Sequence, residues 1–136
     1  MVGWLIGFTF EVAADVEKFV FRTKPENKGK FIQDGVWALC RQPNYFGEIL
    51  MWCSIALAVS MSAYKSGDNT LYWAWLSPFF TTFLLLKVSG IPMIEAAGKK
   101  KWGHLPEYQN YMANTNRLIP GRPAKKMEDF KRMPEL

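Results

Sequence analysis

The sequence predicts an all-α protein, a multi-pass membrane helical bundle with about three transmembrane helices and a cytosolic amphipathic helix near the C-terminus. Three observations carry this. Long apolar stretches alternate with polar connections. Aromatic residues make up 15% of the 136-residue chain, with six Trp and ten Phe. The 17 basic residues fall almost entirely on two of the connections. The mean hydropathy of −0.08 averages apolar segments with a basic tail, so it does not argue for a soluble chain.

The first segment, residues 2–21, opens apolar and ends charged. The second, residues 46–64, carries no charge between Glu48 and Lys65, and about 20 apolar residues span the hydrocarbon. The third, residues 71–94, has one basic residue, Lys87, whose long side chain can reach the interface from near the segment's end. Trp4, Trp52, Tyr72, Trp73 and Trp75 sit near segment ends, where ring and polar tip suit the membrane–water boundary.

Basic residues set the orientation. Lys18, Arg22, Lys24, Lys28, Lys30 and Arg41 lie between the first and second segments or at their edges. Lys65 alone lies between the second and third, and the tail after the third is rich in Lys and Arg. Positive charge is retained on the cytosolic side, so the first loop and the C-terminus are expected there. The turn at residues 66–69 then faces outward. Residues 95–117 read as helix, bent or interrupted at Gly103 and Pro106. Residues 1–120 are expected to form the membrane domain, and residues 121–136 a basic mobile tail.

Some function classes recede on composition. A net charge of +5 suits an anionic membrane surface or a phosphate-bearing ligand. No zinc-finger spacing or RNA-binding signature occurs, so no nucleic-acid partner is expected. Neither the two Cys nor the single His, His104, has metal-ligand spacing, and no metal site is expected. The chain opens without the basic region of a signal peptide. No P-loop and no Rossmann glycine fingerprint is present.

The polar residues that remain gather toward one membrane face. Glu11, Asp15, Lys18 and Arg22 follow i, i+4, i+7, i+11 spacing and share one helical stripe. The stripe reads equally as a self-satisfied charge ladder or as a wall facing a ligand. Residues 27–37 form a basic, glycine-bearing loop in which Lys30 could meet phosphate, or simply anionic lipid. Arg41-Gln42-Pro43-Asn44-Tyr45-Phe46-Gly47-Glu48 is the sharpest cluster. Arg41 can grip phosphate or carboxylate through two bonds, Asn44 both donates and accepts, and Tyr45 offers a ring and a hydroxyl. Glu48 and Glu95 approach the same side from the second and third segments. Trp102, Tyr108 and Tyr111 are candidate stacking groups in the tail.

In order along residues 4–120, the stretches Phe10-Glu11-Val12-Ala13-Ala14-Asp15, Asn27-Lys28-Gly29-Lys30-Phe31, Gly35 with Trp37, Arg41 through Glu48, Ser77-Pro78, Ser89-Gly90-Ile91-Pro92 with Glu95, Lys101-Trp102-Gly103 and Leu118-Ile119-Pro120 carry a resemblance. The chain resembles the C-terminal region of the steroid 5-alpha-reductase-like membrane proteins. Their wider group includes sterol reductases, enoyl reductases and isoprenylcysteine carboxyl methyltransferases. The resemblance implies an NADPH pocket open to the cytosol, serving reduction of a carbon–carbon double bond in a lipid or steroid-like substrate. It implies that Lys18 and Arg22 contact cofactor phosphates, that Arg41, Asn44, Tyr45 and Glu48 line the pocket, and that Glu95, Tyr108, Tyr111 and Arg117 close it. Glu11, Asp15 and Lys30 complete the expected cofactor-binding set; no catalytic residue is assigned. Family members carry further N-terminal membrane helices that supply the substrate-protonating groups, so this chain is expected to be the cofactor half. The family pattern reads Arg-His-Pro-Asn-Tyr, and Gln42 stands here in place of the His. The alternatives are an isoprenylcysteine-type methyltransferase using S-adenosylmethionine, and a non-catalytic membrane subunit. The methyltransferases show a Glu-Glu pair after the last membrane helix, where this chain has Glu95-Ala96. The expected setting is the endoplasmic reticulum in a eukaryote or the inner membrane in a bacterium.

Overall fold

A computed structural model describes residues 1–123. The tail assigned to residues 121–136 therefore lies outside the described residues from position 124 onward. All regular structure among the described residues is helical. α1 runs Val2–Thr23, α2 Val36–Leu39, α3 Pro43–Ser66, α4 Leu76–Phe83, α5 Ile91–Trp102 and α6 Pro106–Asn114.

α1 and α3 form the centre of the bundle. Both bury glycine at their crossing, Gly7 on α1 and Gly47 on α3. A Cβ on Gly7 would lie 2.6 Å from the Gly47 carbonyl oxygen, and one on Gly47 would lie 2.8 Å from the Glu11 nitrogen. The helices thus touch backbone to backbone, as small residues permit in membranes, where apolar burial alone does not drive helices together. Outward faces stay apolar: Leu5, Phe8, Val16, Phe19, Ile55, Leu57, Met61, Phe79 and Phe80 are all exposed. So broad an apolar surface would not stay dispersed in water, but suits lipid.

α3 and the run Asn69–Trp102 are long and apolar enough to cross a membrane, at 24 and 34 residues. The second run exceeds the bilayer requirement of about 20 residues, and the geometry divides it. It begins as a 3-10 helix over Asn69–Trp75, continues as α4, and widens to a π-helix over Leu84–Val88. It then breaks at Ser89 and Gly90, where both amides close on the Leu84 carbonyl (3.0 and 3.4 Å). α5 restarts with Pro92 in its first turn, where a missing N–H costs nothing. The third apolar segment is thus broken near the end the sequence assigned it. α1 has the length to cross, at 22 residues, but its charged second half keeps it out of the apolar class.

The tail helix also divides. α5 ends at Trp102 and α6 starts at Pro106, as Gly103 and Pro106 predicted. Beyond α6 the chain returns along the 39–41 segment. The Arg41 amide donates to the Asn116 carbonyl at 2.8 Å, and the Gly121 amide to the Leu39 carbonyl at 2.9 Å. These bonds clamp the tail onto the α2–α3 connection.

Candidate functional site

Four chain segments meet at the end of the bundle where α1 finishes. α1 supplies Lys18, Phe21 and Arg22, and the following loop Lys30, Phe31 and Ile32. The α2–α3 region supplies Trp37, Arg41 and Gln42, and α5 with α6 supply Ile94, Glu95, Gly98, Trp102, Tyr108, Tyr111 and Met112. Together they enclose a cavity of about 150 Å³.

Trp37 is the hub. It is buried and donates its Nε1–H to the Ala14 carbonyl of α1 at 3.0 Å. Its own carbonyl accepts the Tyr111 hydroxyl at 2.7 Å, and Lys18 Nζ sits 4.8 Å above its ring. One residue thereby ties α1, α2 and α6 together. Just before it, Gly35 has φ +60°, and a Cβ there would strike the Glu17 carboxylate. That carboxylate accepts from the Val36 amide at 2.9 Å and serves the open N-terminus of α2. Phe31 packs against Trp102, Tyr108 and Tyr111 with ring centroids 5.9, 5.1 and 5.6 Å away, completing an aromatic wall.

Glu95 is the acid of this otherwise basic site. Arg41 Nη1 lies 3.0 Å from Glu95 Oε1, and Arg117 Nη2 lies 3.2 Å from Oε2. Arg41 Nη1 also donates to Met112 Sδ at 3.1 Å, while its Nε and the Thr115 hydroxyl are covered without a partner among the described residues. The Arg41–Glu95 pair is an ion pair by distance and is not aligned as a hydrogen bond. Burial pushes the Tyr111 phenol well above its ordinary range; the Cys40 thiol adds to this and Arg41 opposes it. Burial likewise raises Tyr108, with Glu95 adding and Arg41 opposing. The Cys40 thiol, wholly covered, is pushed up to about 11 by burial, partly offset by a hydrogen bond from the Gln42 backbone.

Of the residues singled out in the sequence, Lys18, Arg22, Lys30, Arg41, Glu95, Tyr108 and Tyr111 come together here. Arg117 joins them through Glu95. Glu11, Asp15 and Glu48 do not. They line a separate groove of about 530 Å³ between α1 and α3, whose other walls are Trp4, Phe8, Val12, Val16, Met51, Trp52 and Ile55. The α1 stripe is continuous, but a helix rises about 1.5 Å per residue, so its acids and bases serve different levels of the bundle. Asn44 and Tyr45 line neither cavity, and Asn44 Oδ1 is covered without a partner among the described residues. His104 is exposed. The cavity residues that sequence reasoning passed over are chiefly Phe31, Met112 and Gln42. Nothing in local pattern marks Met112, and Phe31 stood in the Asn27–Phe31 stretch with no role assigned to it. Gln42 sat inside the strongest motif but read as the loss of a histidine.

The fold and the site define a helical membrane-type protein with a basic, aromatic pocket at one end. The chain belongs to the family described as protein of unknown function DUF1295, whose model matches residues 1–115. No curated protein and no solved structure matches it.

Proposed function

We propose that this chain is the cofactor-binding domain of a membrane oxidoreductase. It holds NADPH at its cytosolic face for reduction of a carbon–carbon double bond in a lipid or steroid-like substrate. In this reading α1 is a third crossing, and the loop after it and the C-terminal tail are cytosolic, which the distribution of Lys and Arg supports.

The observation that carries the reading is the pocket's residue set. Lys18, Arg22, Lys30 and Arg41 face a single acid, Glu95, amid Trp37, Phe31, Trp102, Tyr108 and Tyr111. Basic groups suit the phosphates of a dinucleotide, and aromatic faces suit its rings. The fit extends to hydrogen bonding: Arg41 Nε, buried and unpartnered among the described residues, has a donor to spare. Lys18 and Arg22 would hold phosphate from α1, Lys30 from the loop, and Arg41 from the connection between α2 and α3. When bound, NADPH supplies the hydride, and the protein's own task is to orient the cofactor and exclude water.

The groove between α1 and α3 supports a substrate role. Its volume of about 530 Å³ falls within the roughly 300–1,000 Å³ of ordinary small-molecule sites. Its apolar walls suit a hydrocarbon body, and Glu11, Asp15 and Glu48 would meet a polar end. Glu11 Oε2 is covered and has no partner among the described residues.

Calorimetric titration of the purified full chain with NADPH tests the proposal. Saturable binding is expected, weakened about tenfold or more in Arg22→Ala and in Arg41→Ala, the scale of one lost charged hydrogen bond. Absence of binding by the unaltered chain in a folded state would overturn the reading.

A further inference from the structure

Two lysine-bearing segments far apart in sequence are tied together at one end of the bundle. The Trp102 Nε1–H donates to the Gly29 carbonyl, 73 positions away, at 2.5 Å, and the Phe31 and Trp102 rings are in contact. Lys28 stands next to the acceptor, and Lys101 next to the donor. The tether thereby brings Lys28 to the same edge as Lys99, Lys100 and Lys101, which form the last turn of α5. All four are exposed. None makes an ion pair among the described residues, and the acids of the same two segments, Glu26 and Glu107, pair with none of them. Like charges gathered without counter-charge repel one another, and an anionic partner relieves this.

The exposed stripe of α5 selects the partner. Met93 is 62% exposed near the start of the helix. Lys100 follows it by seven residues, two helical turns, and lies on the same stripe, with exposed Ala96 and Ala97 between. Seven residues rise about 10 Å. The stripe thus passes from apolar through small to basic over about the depth, 5–10 Å, to which an interfacial helix enters the boundary of headgroups and acyl chains. α5 also ends the apolar run Asn69–Trp102, so a membrane that holds this run leaves Trp102 and the lysines at its edge. A soluble anion would engage the lysines and leave Met93 in water. An anionic phospholipid uses both, its phosphate on the lysines and its chains on the apolar start of the stripe.

We propose that the last turn of α5 and the tethered loop form a binding surface for anionic phospholipid, with Lys28, Lys99, Lys100 and Lys101 on the headgroup phosphate and Met93 against the acyl chains. The surface is separate in its lysines from the set that lines the pocket.

The full chain in neutral detergent is titrated with phosphatidylglycerol and with phosphatidylcholine of the same acyl chains, and bound lipid is counted by native mass spectrometry. Phosphatidylglycerol should bind about tenfold or more tightly, the scale of two or more lysines at an anionic surface. The triple change Lys99→Gln, Lys100→Gln and Lys101→Gln should abolish most of that preference, and arginine at the same three positions should keep it. Lys28→Gln alone should weaken phosphatidylglycerol about threefold or more. Lys65→Gln, in the last turn of α3, should change nothing. Soluble glycerol 1-phosphate at matched concentration should fail to displace the lipid. Equal binding of the two lipids by the unaltered chain, an undiminished preference in the glutamine variant or in Lys28→Gln, or displacement by glycerol 1-phosphate would each overturn the inference. NADPH binding is left untouched by any of these results.

Discussion

Replacing Gly47 by alanine tests the packing that positions both cavities. The new Cβ would meet backbone on α1: the Gly7 carbonyl oxygen, the Glu11 nitrogen at 2.8 Å and the Glu11 Cβ at 3.1 Å. None of these is the end of a mobile side chain, so the helices must separate by several tenths of an ångström along their main interface. Overpacking of this kind costs about 1–3 kcal/mol. Gly7→Ala meets the Gly47 carbonyl oxygen at 2.6 Å and the Met51 nitrogen at 3.0 Å, and belongs to the same class. Gly3→Ala is the control on the same helix. Its Cβ meets the Ser54 hydroxyl at 2.6 Å, a side-chain end that can turn aside although it now donates to the Leu50 carbonyl at 2.8 Å, with the Leu50 side chain no nearer than 4.0 Å. Denaturant titration in mixed micelles, followed by circular dichroism, should rank Gly47→Ala and Gly7→Ala as destabilised by about 1–3 kcal/mol. Gly3→Ala should lose less than either, at most about 1 kcal/mol, the scale of the Ser54 hydroxyl's one hydrogen bond. Equal stabilities across the series would refute backbone contact as the basis of the α1–α3 crossing.

The pocket residues give the remaining outcomes. Arg41→Ala should cost about 1–3 kcal/mol in the same titration, because it strips a partner from the mostly covered Glu95 carboxylate. Arg117→Ala, at a side chain 48% exposed, should cost under about 1 kcal/mol. Tyr111→Phe should cost about 1 kcal/mol, since it deletes the bond to the Trp37 carbonyl and keeps the ring. The Cys40 thiol, pushed up to about 11 in the fold from an ordinary value of 9.0, should resist alkylation at pH 8 by mass spectrometry until the protein is denatured. Its linkage has a definite sign. An acid held protonated by folding contributes stability below pH 9, and that contribution is lost as pH rises from 9 towards 11. Tyr111 acts in the same direction, and stability should therefore decline on the alkaline side.

The helical bundle was legible because its signals are local. An uncharged run between Glu48 and Lys65 marks α3, and Gly103 with Pro106 marks the break before α6. The break at Ser89–Gly90 was less visible. The apolar run continues to Ile94, and the turn arises from π-helical closure on the Leu84 carbonyl, which hydropathy does not report. Much of the basic set was legible, since Lys18, Arg22 and Arg41 recur at the spacing and in the motif that singled them out. The division of the acids from the bases was not. Residue spacing fixes a stripe's azimuth, but which neighbours cover each level depends on the loop and tail packing across it. Trp37 shows the same point. It reads as one aromatic in a loop, yet its nitrogen and carbonyl join residues 23 and 74 positions away.

We propose above that the basic, aromatic pocket holds a reduced nicotinamide cofactor with its phosphates on Lys18, Arg22, Lys30 and Arg41. Trp37 and Trp102 line that pocket, so a cofactor bound there lies within energy-transfer distance of both. Titrating NADPH into the chain in nanodiscs should quench tryptophan emission and sensitise cofactor emission in a saturable way. Arg22→Ala should shift the midpoint about tenfold or more, and Trp37→Phe with Trp102→Phe should remove most of the sensitised signal. A signal that fails to saturate, or that survives these changes undiminished, would contradict the account.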